Sequence, residues 1–446
     1  MPHTRRDHAV VLGASMAGLL AARVLSESFE QVTVVERDVL PADAEHRRGV
    51  PQSRHVHVLL ARGASILEDL FPAFVAEAEA AGAQTTDALG QVRLLLSGQR
   101  LLQTDIGLRS LLCGRPLLES LVRARVRALG GVSFLERHDV VGLTATPDGR
   151  RVTGVRLHAD GGERERTIEA DVVLDATGRG SRAPVWLQEL GHGRPTVDKV
   201  QVGLAYSTRT YRLPQGAMGK DQLILNNATP ANLRAAVLAE QEHGLARLTL
   251  AGMLGNRPPL DPNAFNTFAA NLHFPDIFEA IRDAEPLDDP VGFRYPANVR
   301  HRYERMRSFP DGFLVLGDAV SAFNPVYGQG MTSAAMQAEA MRTVLTDDKQ
   351  LTRRSYFQAI AKAVNPAWQI SAGGDLAFPD VQGRRTPAVR MINAYLPKVH
   401  AAAAHDVDMA VAFIRVGSLM DRPESLLRPD IVFRALRGPG RRRPRR

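Results

Sequence analysis

A buried strand that ends in glycine, turns at once into a helix and returns as a second strand ending in an acid fits very few folds. Residues 8 to 36 have that pattern. His8–Leu12 reads as a strand, Ser15–Ser28 as a helix, and Gln31–Glu36 as a second strand through Val32, Val34 and Val35. This is the opening βαβ unit of a doubly wound α/β sheet. The turn is Gly13-Ala14-Ser15-Met16-Ala17-Gly18, a GxGxxG motif with serine in its second glycine slot. Gly13 permits the tight turn, the second slot must let backbone approach a pyrophosphate, and Gly18 lets helix and strand pack closely. Serine is small enough for that slot, and its hydroxyl can donate to a phosphate oxygen. The helix N-terminus adds free N–H groups and partial positive charge. Glu36 ends the second strand about where the ribose-binding acid of this fold sits. An acid there suits FAD or NAD and disfavours the 2′-phosphate of NADP, and Arg37 is placed to lie over the adenine.

Other readings of the same stretch explain less. Ser15 invites a nucleophile elbow, GxSxG after a strand, but Ala17 stands where the last glycine belongs and no motif marks a partner His or Asp. Arg5-Arg6 before the apolar run Ala9–Leu25 resembles a twin-arginine export signal. The motif spacing of Gly13, Ser15 and Gly18, and the continuation to Glu36, oppose it. No stretch reaches the roughly 18 apolar residues of a spanning helix. The expectation is therefore a cytoplasmic protein with no membrane span. The single cysteine, Cys113, leaves no internal disulfide or thiolate metal cluster and reads as a small core residue. A net charge of +8 suggests nucleic acid, but seven arginines and no carboxylate fall in residues 434–446, so the remainder is nearly neutral. No nucleic-acid partner is expected, and 434–446 reads as a disordered, Arg-rich tail.

A second constellation narrows the cofactor. Phe313–Leu316 reads as a buried strand ending in Gly317-Asp318, and Pro325-Val326-Tyr327-Gly328-Gln329-Gly330-Met331 leads into the helix Gly330–Leu345. An Asp at a strand end accepts a hydrogen bond from a ribityl hydroxyl. N–H groups of Gly328–Met331 at a helix start stabilise negative charge at the N1–O2 edge of a reduced flavin. Between the two motifs, Ala61–Ala81 and Arg115–Leu129 read as helices and Val132–Leu135 as a short strand. Arg151–Leu157 and Arg166–Leu174 read as a hairpin about Asp160-Gly161-Gly162. Val202–Leu213, Leu223–Leu225, Arg247–Leu254 and Val291–Tyr303 read as a mostly antiparallel sheet.

Three segments together resemble the group A flavoprotein monooxygenase superfamily over roughly residues 8 to 345: GASMAG with Glu36, the strand-end Asp175-Ala176-Thr177-Gly178, and GDAVSAFNPVYGQGM from Gly317 to Met331. The resemblance implies an α/β fold. Its Rossmann-like FAD-binding domain would be discontinuous (1–85, 109–200 and 301–346), with an inserted, mostly antiparallel substrate domain (86–108 and 201–300) and a C-terminal helical region (347–433). It puts Asp318 on the ribityl chain, and Pro325, Gly328, Gln329, Gly330 and Met331 at the isoalloxazine. It puts Arg115 on the FAD chain and Val140 in backbone contact with the adenine. Gly13, Ala14, Ser15, Met16, Ala17, Gly18, Glu36 and Arg37 complete the expected cofactor contacts. It further implies that a flavin C4a-hydroperoxide is the oxidant, so no catalytic side chain is assigned, and that NAD(P)H is the electron source. One departure matters there. Asp175 to Arg182 replaces the DG-x-x-S-x-x-R segment that serves flavin and NADPH in many aromatic hydroxylases. A separate flavin reductase is then the alternative supplier of electrons.

The segment Arg48–His57, together with GDAVSAFNPVYGQGM, is similar to the actinobacterial flavin-dependent epoxidases of polyether biosynthesis, relatives of squalene epoxidase. That resemblance implies epoxidation of an alkene in an apolar natural product, free or carrier-bound. Hydroxylation, or C=C reduction or dehydrogenation, are the alternatives on the same scaffold. The sequence marks no general base, which epoxidation does not need and a phenol would use. No lysine-bearing motif of a flavin halogenase is seen, and a non-catalytic nucleotide-binding protein is the reading from outside the enzymes. His55-x-His57, with His46 nearby, lacks a third ligand at useful spacing, so no metal is expected. The substrate pocket should lie between the Val202–Leu254 sheet and the flavin and be apolar, with Trp186, Phe323 and Tyr327 as candidate lining residues.

Overall fold

The computed structural model describes residues 6–159, 165–346 and 352–437. Its centre is a five-stranded parallel sheet in the order Phe313–Val315, Val172–Asp175, Arg6–Leu12, Phe29–Val35, Val132–Leu135. The middle strand is covered on both faces, and Ala9, Val10, Val11 and Leu12 are wholly buried. Helix Met16–Leu25 follows it directly and packs against helix Gly330–Thr346, so the two motif-bearing ends of the chain share one layer. Cys113 is buried, and desolvation pushes its thiol up to about 12, leaving a protonated core residue.

The second sheet has nine strands. Val197–Arg212 runs through its middle and pairs antiparallel with Ala246–Gly252 and with Val291–His301. One pairing departs from the expected pattern: Val92–Leu96 joins Leu223–Asn226 in parallel. Helices Arg353–Asp375, Pro387–Ala403, Val407–Gly417 and Pro429–Arg437 close the chain. The architecture is thus α/β with a mostly antiparallel second sheet and C-terminal helices. No described helix is long and apolar enough to cross a membrane.

Several local expectations need correction. Ala61–Ala81 is two helices, Ala61–Leu70 and Phe74–Ala80. Pro72 follows the break, Ala73 adopts φ 64°, and the Glu68 carboxylate accepts from the Ala73 and Val75 N–H groups, restarting the helix. The arm expected to run from Arg166 to Leu174 is split. Glu165–Glu169 stays in a small antiparallel sheet, while Val172–Asp175 belongs to the parallel sheet. The Asp160-Gly161-Gly162 turn lies outside the described residues. Arg234–Glu240 is a strand that the sequence reading does not anticipate, because Ala235, Ala236 and Ala239 favour helix locally. Pairing on both sides, with Leu223–Asn226 and Ala246–Gly252, overrides that preference. Arg434 to Arg437 are helical, which corrects the disorder expected of them; residues 438–446 lie outside the described residues.

Candidate active site

Both ends of the opening motif require glycine. Gly13 sits at φ 95°, and a Cβ there would lie 2.9 Å from the Ala176 carbonyl oxygen. A Cβ on Gly18 would overlap the Gly13 carbonyl oxygen. Between them, the Ala14 N–H donates to Glu36 Oε2 at 2.8 Å, fastening the turn to the end of the second strand. A charged cluster surrounds the helix start. Arg47 Nη1 lies 3.1 Å from Glu36 and 3.1 Å from Asp38, while its Nε donates to Glu119 at 2.8 Å. Arg115 donates to Ser15 Oγ at 2.8 Å and to Glu119 at 3.2 Å. Burial opposes ionisation of Glu119, but Arg115 and Arg47 outweigh it and lower its pKa. Ser15 Oγ donates to Glu119 at 2.8 Å. Glu119 stands four residues after Arg115 on helix Arg115–Arg127, one turn away, and takes the serine proton. The free N–H groups at the helix N-terminus remain to attract a pyrophosphate.

The other end of the site is built from strand Phe313–Val315 and the loop behind it. Gly317, at φ 72°, packs on Ala17: a Cβ there would lie 2.5 Å from Ala17 Cβ. The two distant motifs therefore meet. Asp318 follows, and its carboxylate has no hydrogen-bond partner among the described residues. Burial raises its pKa, against the pull of Arg179 and Arg115. Asn324 Oδ1 accepts from the Val326 N–H at 3.1 Å, and Gly328 adopts φ 66°. Ser333 is the first N–H to bond back into the following helix, to Gln329 O at 2.8 Å. The N–H groups of Gly330, Met331 and Thr332 are thereby left without backbone partners. Buried Gln329 Oε1, Thr332 Oγ1, Tyr206 OH and Tyr295 OH also lack partners. These groups fit FAD: Asp318 would accept from a ribityl hydroxyl, and the free N–H groups would face the flavin's carbonyl edge.

A pocket lies between this loop and the second sheet. Leu204, Ala235, Ala251 and Met253 form its apolar wall; Asn324, Tyr327 and Asp375 bring the polar side. Asp375, the last residue of helix Arg353–Asp375, is 1% exposed. It accepts from Asn298 Nδ2 at 2.6 Å, Asn324 Nδ2 at 2.9 Å and Tyr327 OH at 3.1 Å. Asn298 Oδ1 in turn accepts from the Asn324 N–H and from Ser371 Oγ. Burial raises the Asp375 pKa to about 6, and the three donors only partly offset it.

Residues 7–348 match the FAD binding domain family. The chain belongs to this family. It is 34% identical to Protein Rv3254 of Mycobacterium tuberculosis, over 97% of this chain and 93% of that protein. It is 29% identical to the kynurenine 3-monooxygenase of Salinispora arenicola, over 77% of this chain and 73% of that one. Among solved structures, the flavin-dependent brominase Bmp2 shares the fold with a TM-score of 0.69 at 16% identity, covering 96% of this chain and 98% of its own. The protein is an FAD-dependent monooxygenase.

Within this flavoprotein, Gly13–Gly18, Glu36, Arg115 and the Gly317–Met331 segment line one continuous region. Arg37 and Pro325 are exposed. Val140 is paired with Leu157, two residues beyond His138, whose N–H donates to Glu36 O at 3.1 Å. Trp186 and Phe323 do not line the cavity. Trp186 packs edge-on to Phe313 in the main core, and Phe323 joins the same core, leaving Tyr327 alone of the three at the cavity. His55 to His57 do not form a strand; they follow a short turn, and His57 Nδ1 lies 2.9 Å from His55 O. His55 Nδ1 is 2.7 Å from Thr208 Oγ1. Burial, then Arg247, lowers the His55 pKa to about 4, and burial, then Arg115, lowers that of His57 to about 3. Both imidazoles are neutral at neutral pH. Among the described residues, no group of three or more His, Cys, Asp or Glu could hold a metal ion. The sequence reading missed Arg47, Glu119, Asn298 and Asp375. Glu119 carried a signal in its four-residue spacing from Arg115; Asp375 carried none.

Proposed function

We propose that this monooxygenase inserts one oxygen atom from O2 into a small aromatic substrate held in the cavity between the second sheet and the Asn324–Gly328 loop. The observation that carries this reading is the cavity itself: apolar on the sheet side, polar at Tyr327 and Asp375, and adjoining the glycines that suit a flavin ring. When bound and reduced, FAD supplies the oxygen-activating chemistry. The protein's part is to hold the ring of the substrate against Leu204, Ala251 and Met253 and to keep water out. NAD(P)H supplies the electrons, directly or through a separate flavin reductase.

Epoxidation is the second reading, and the apolar wall favours it. Purified FAD-loaded protein, incubated under labelled oxygen gas with NAD(P)H and with or without an added flavin reductase, tests the proposal. Small phenols, anilines and alkenes are the trial substrates. A product carrying one labelled oxygen is expected. Turnover that proceeds without oxygen, giving unlabelled product, would make the enzyme a reductase or dehydrogenase.

A further inference from the structure

We infer that helix Pro429–Arg437 and the arginines that follow it form a docking surface for an anionic phospholipid bilayer, holding the enzyme on the membrane face without crossing it. The helix carries two apolar stripes. Ile431 and Ala435, four residues apart, are buried in the same apolar cluster as Met409 and Leu426 and fasten the helix to the body. Phe433 and Leu436, three residues apart, share a turn on the other side and are 56% and 57% exposed. That second stripe plays no part in folding. It also has company. Of the nine large hydrophobic side chains exposed among the described residues, five fall between residues 391 and 436: Met391, Val407, Leu427, Phe433 and Leu436. Exposed apolar surface is thus concentrated at this end of the chain, the pattern of an interaction surface.

Charge complementarity names the occupant. Asp430 pairs with Arg428 at 2.9 Å, and Asp406 and Asp408 each pair with Arg434 at 2.9 Å, so the nearby carboxylates are already matched. Beyond Asp430 the sequence holds no Asp or Glu, while Arg437, Arg441, Arg442, Arg443, Arg445 and Arg446 follow. The Arg437 guanidinium lies over the Phe433 ring, 4.3 Å from its centroid. It can rise to a headgroup phosphate while the ring sinks below it. A second copy of the chain is a poor occupant, because it would bring two sets of like charges face to face. A nucleic acid would take the arginines but leave Phe433 and Leu436 in water. An anionic bilayer takes both: phosphates meet the arginines, and the acyl boundary meets the apolar pair. A nine-residue helix buries too little to anchor alone, so attachment needs both signals and is reversible.

The test uses the FAD-loaded full chain and vesicles of phosphatidylcholine, alone or with one-third phosphatidylglycerol, in co-sedimentation at low and at high salt. Two variants accompany the wild type, each checked for flavin content. One combines Phe433→Ser with Leu436→Ser; both side chains are exposed, so their loss leaves the core intact. The other combines Arg441→Gln, Arg442→Gln, Arg443→Gln, Arg445→Gln and Arg446→Gln. The wild type should bind anionic vesicles at least tenfold more tightly than neutral ones, and more weakly as salt rises. Each variant should lose at least tenfold of that affinity with its flavin retained. A wild type that ignores vesicles, or binds both compositions equally, overturns the inference. So does a serine variant that binds like the wild type, since the arginines alone would then account for attachment. Tight binding of a DNA duplex in place of vesicles would assign the arginines to nucleic acid. A wild-type dimer that the serine pair splits in sedimentation velocity would assign the apolar face to a second copy. Either result overturns the inference.

Discussion

Asp375 makes the pH dependence of stability a direct probe of the cavity. Its carboxyl is carried from 3.8 to about 6 by burial. The folded protein therefore holds this proton more tightly than the unfolded chain does. Below about pH 4 both states are protonated and the residue contributes no difference. As pH rises, the unfolded chain ionises freely while the folded protein resists until about pH 6. Stability falls across that window and is level above it. At about 1.4 kcal/mol per pH unit of displacement, the loss is about 3 kcal/mol. Asp375→Asn removes the titrating group. It also leaves amide facing amide at Asn298 and Asn324, which adds a penalty that does not vary with pH.

The assay is urea unfolding of both proteins at fixed FAD, between pH 4 and pH 7.5, with the variant curve subtracted from the wild type. The subtraction matters because His55 and His57 act in the opposite sense. Their pKa values, about 4 and about 3, lie below the usual 6.5, so they cost stability as pH falls below 6.5. That contribution is common to both proteins and cancels. The difference curve should descend by about 2 kcal/mol from pH 4 to pH 6.5 and then flatten. Parallel curves would show that Asp375 titrates as it does in the unfolded chain, and the reasoning from its burial would fail.

Three substitutions test the rest of the site. Gly18→Ala drives a methyl into the Gly13 carbonyl oxygen, so it should cost about 1–3 kcal/mol or more, and the purified protein should be stripped of flavin, read from absorbance. Asp318→Ala removes one charge-assisted hydrogen bond to the ribityl chain, worth about 1.5–3 kcal/mol, so FAD should bind about 10- to 100-fold more weakly by fluorescence titration. An unchanged affinity would take Asp318 off the cofactor. Gly374→Ala places a methyl 2.6 Å from the Tyr327 hydroxyl oxygen. Product formation should fall, by up to roughly 10²-fold, with flavin content unchanged, because Tyr327 is displaced and the cofactor site is not.

The glycines explain why the cofactor site was readable in the sequence. At Gly13, Gly18 and Gly317 the backbone passes so close to Ala176, the Gly13 carbonyl and Ala17 that a side chain has nowhere to go. Such positions announce themselves by residue type alone. Ser15 shows where that legibility ends. Its small size was readable, but its protein partner was not, since Glu119 reaches it from a helix about 100 residues away. The cavity is the extreme case. Its walls come from three strands of the second sheet, from the loop after Ala322 and from the end of helix Arg353–Asp375. One of those strands, Arg234–Glu240, has a local preference for helix. No short window contains two walls of the pocket, so no periodicity or motif could mark Asp375 as more than one polar residue at a helix end. Its role emerges only when Asn298, Asn324 and Tyr327 converge on it from separate elements.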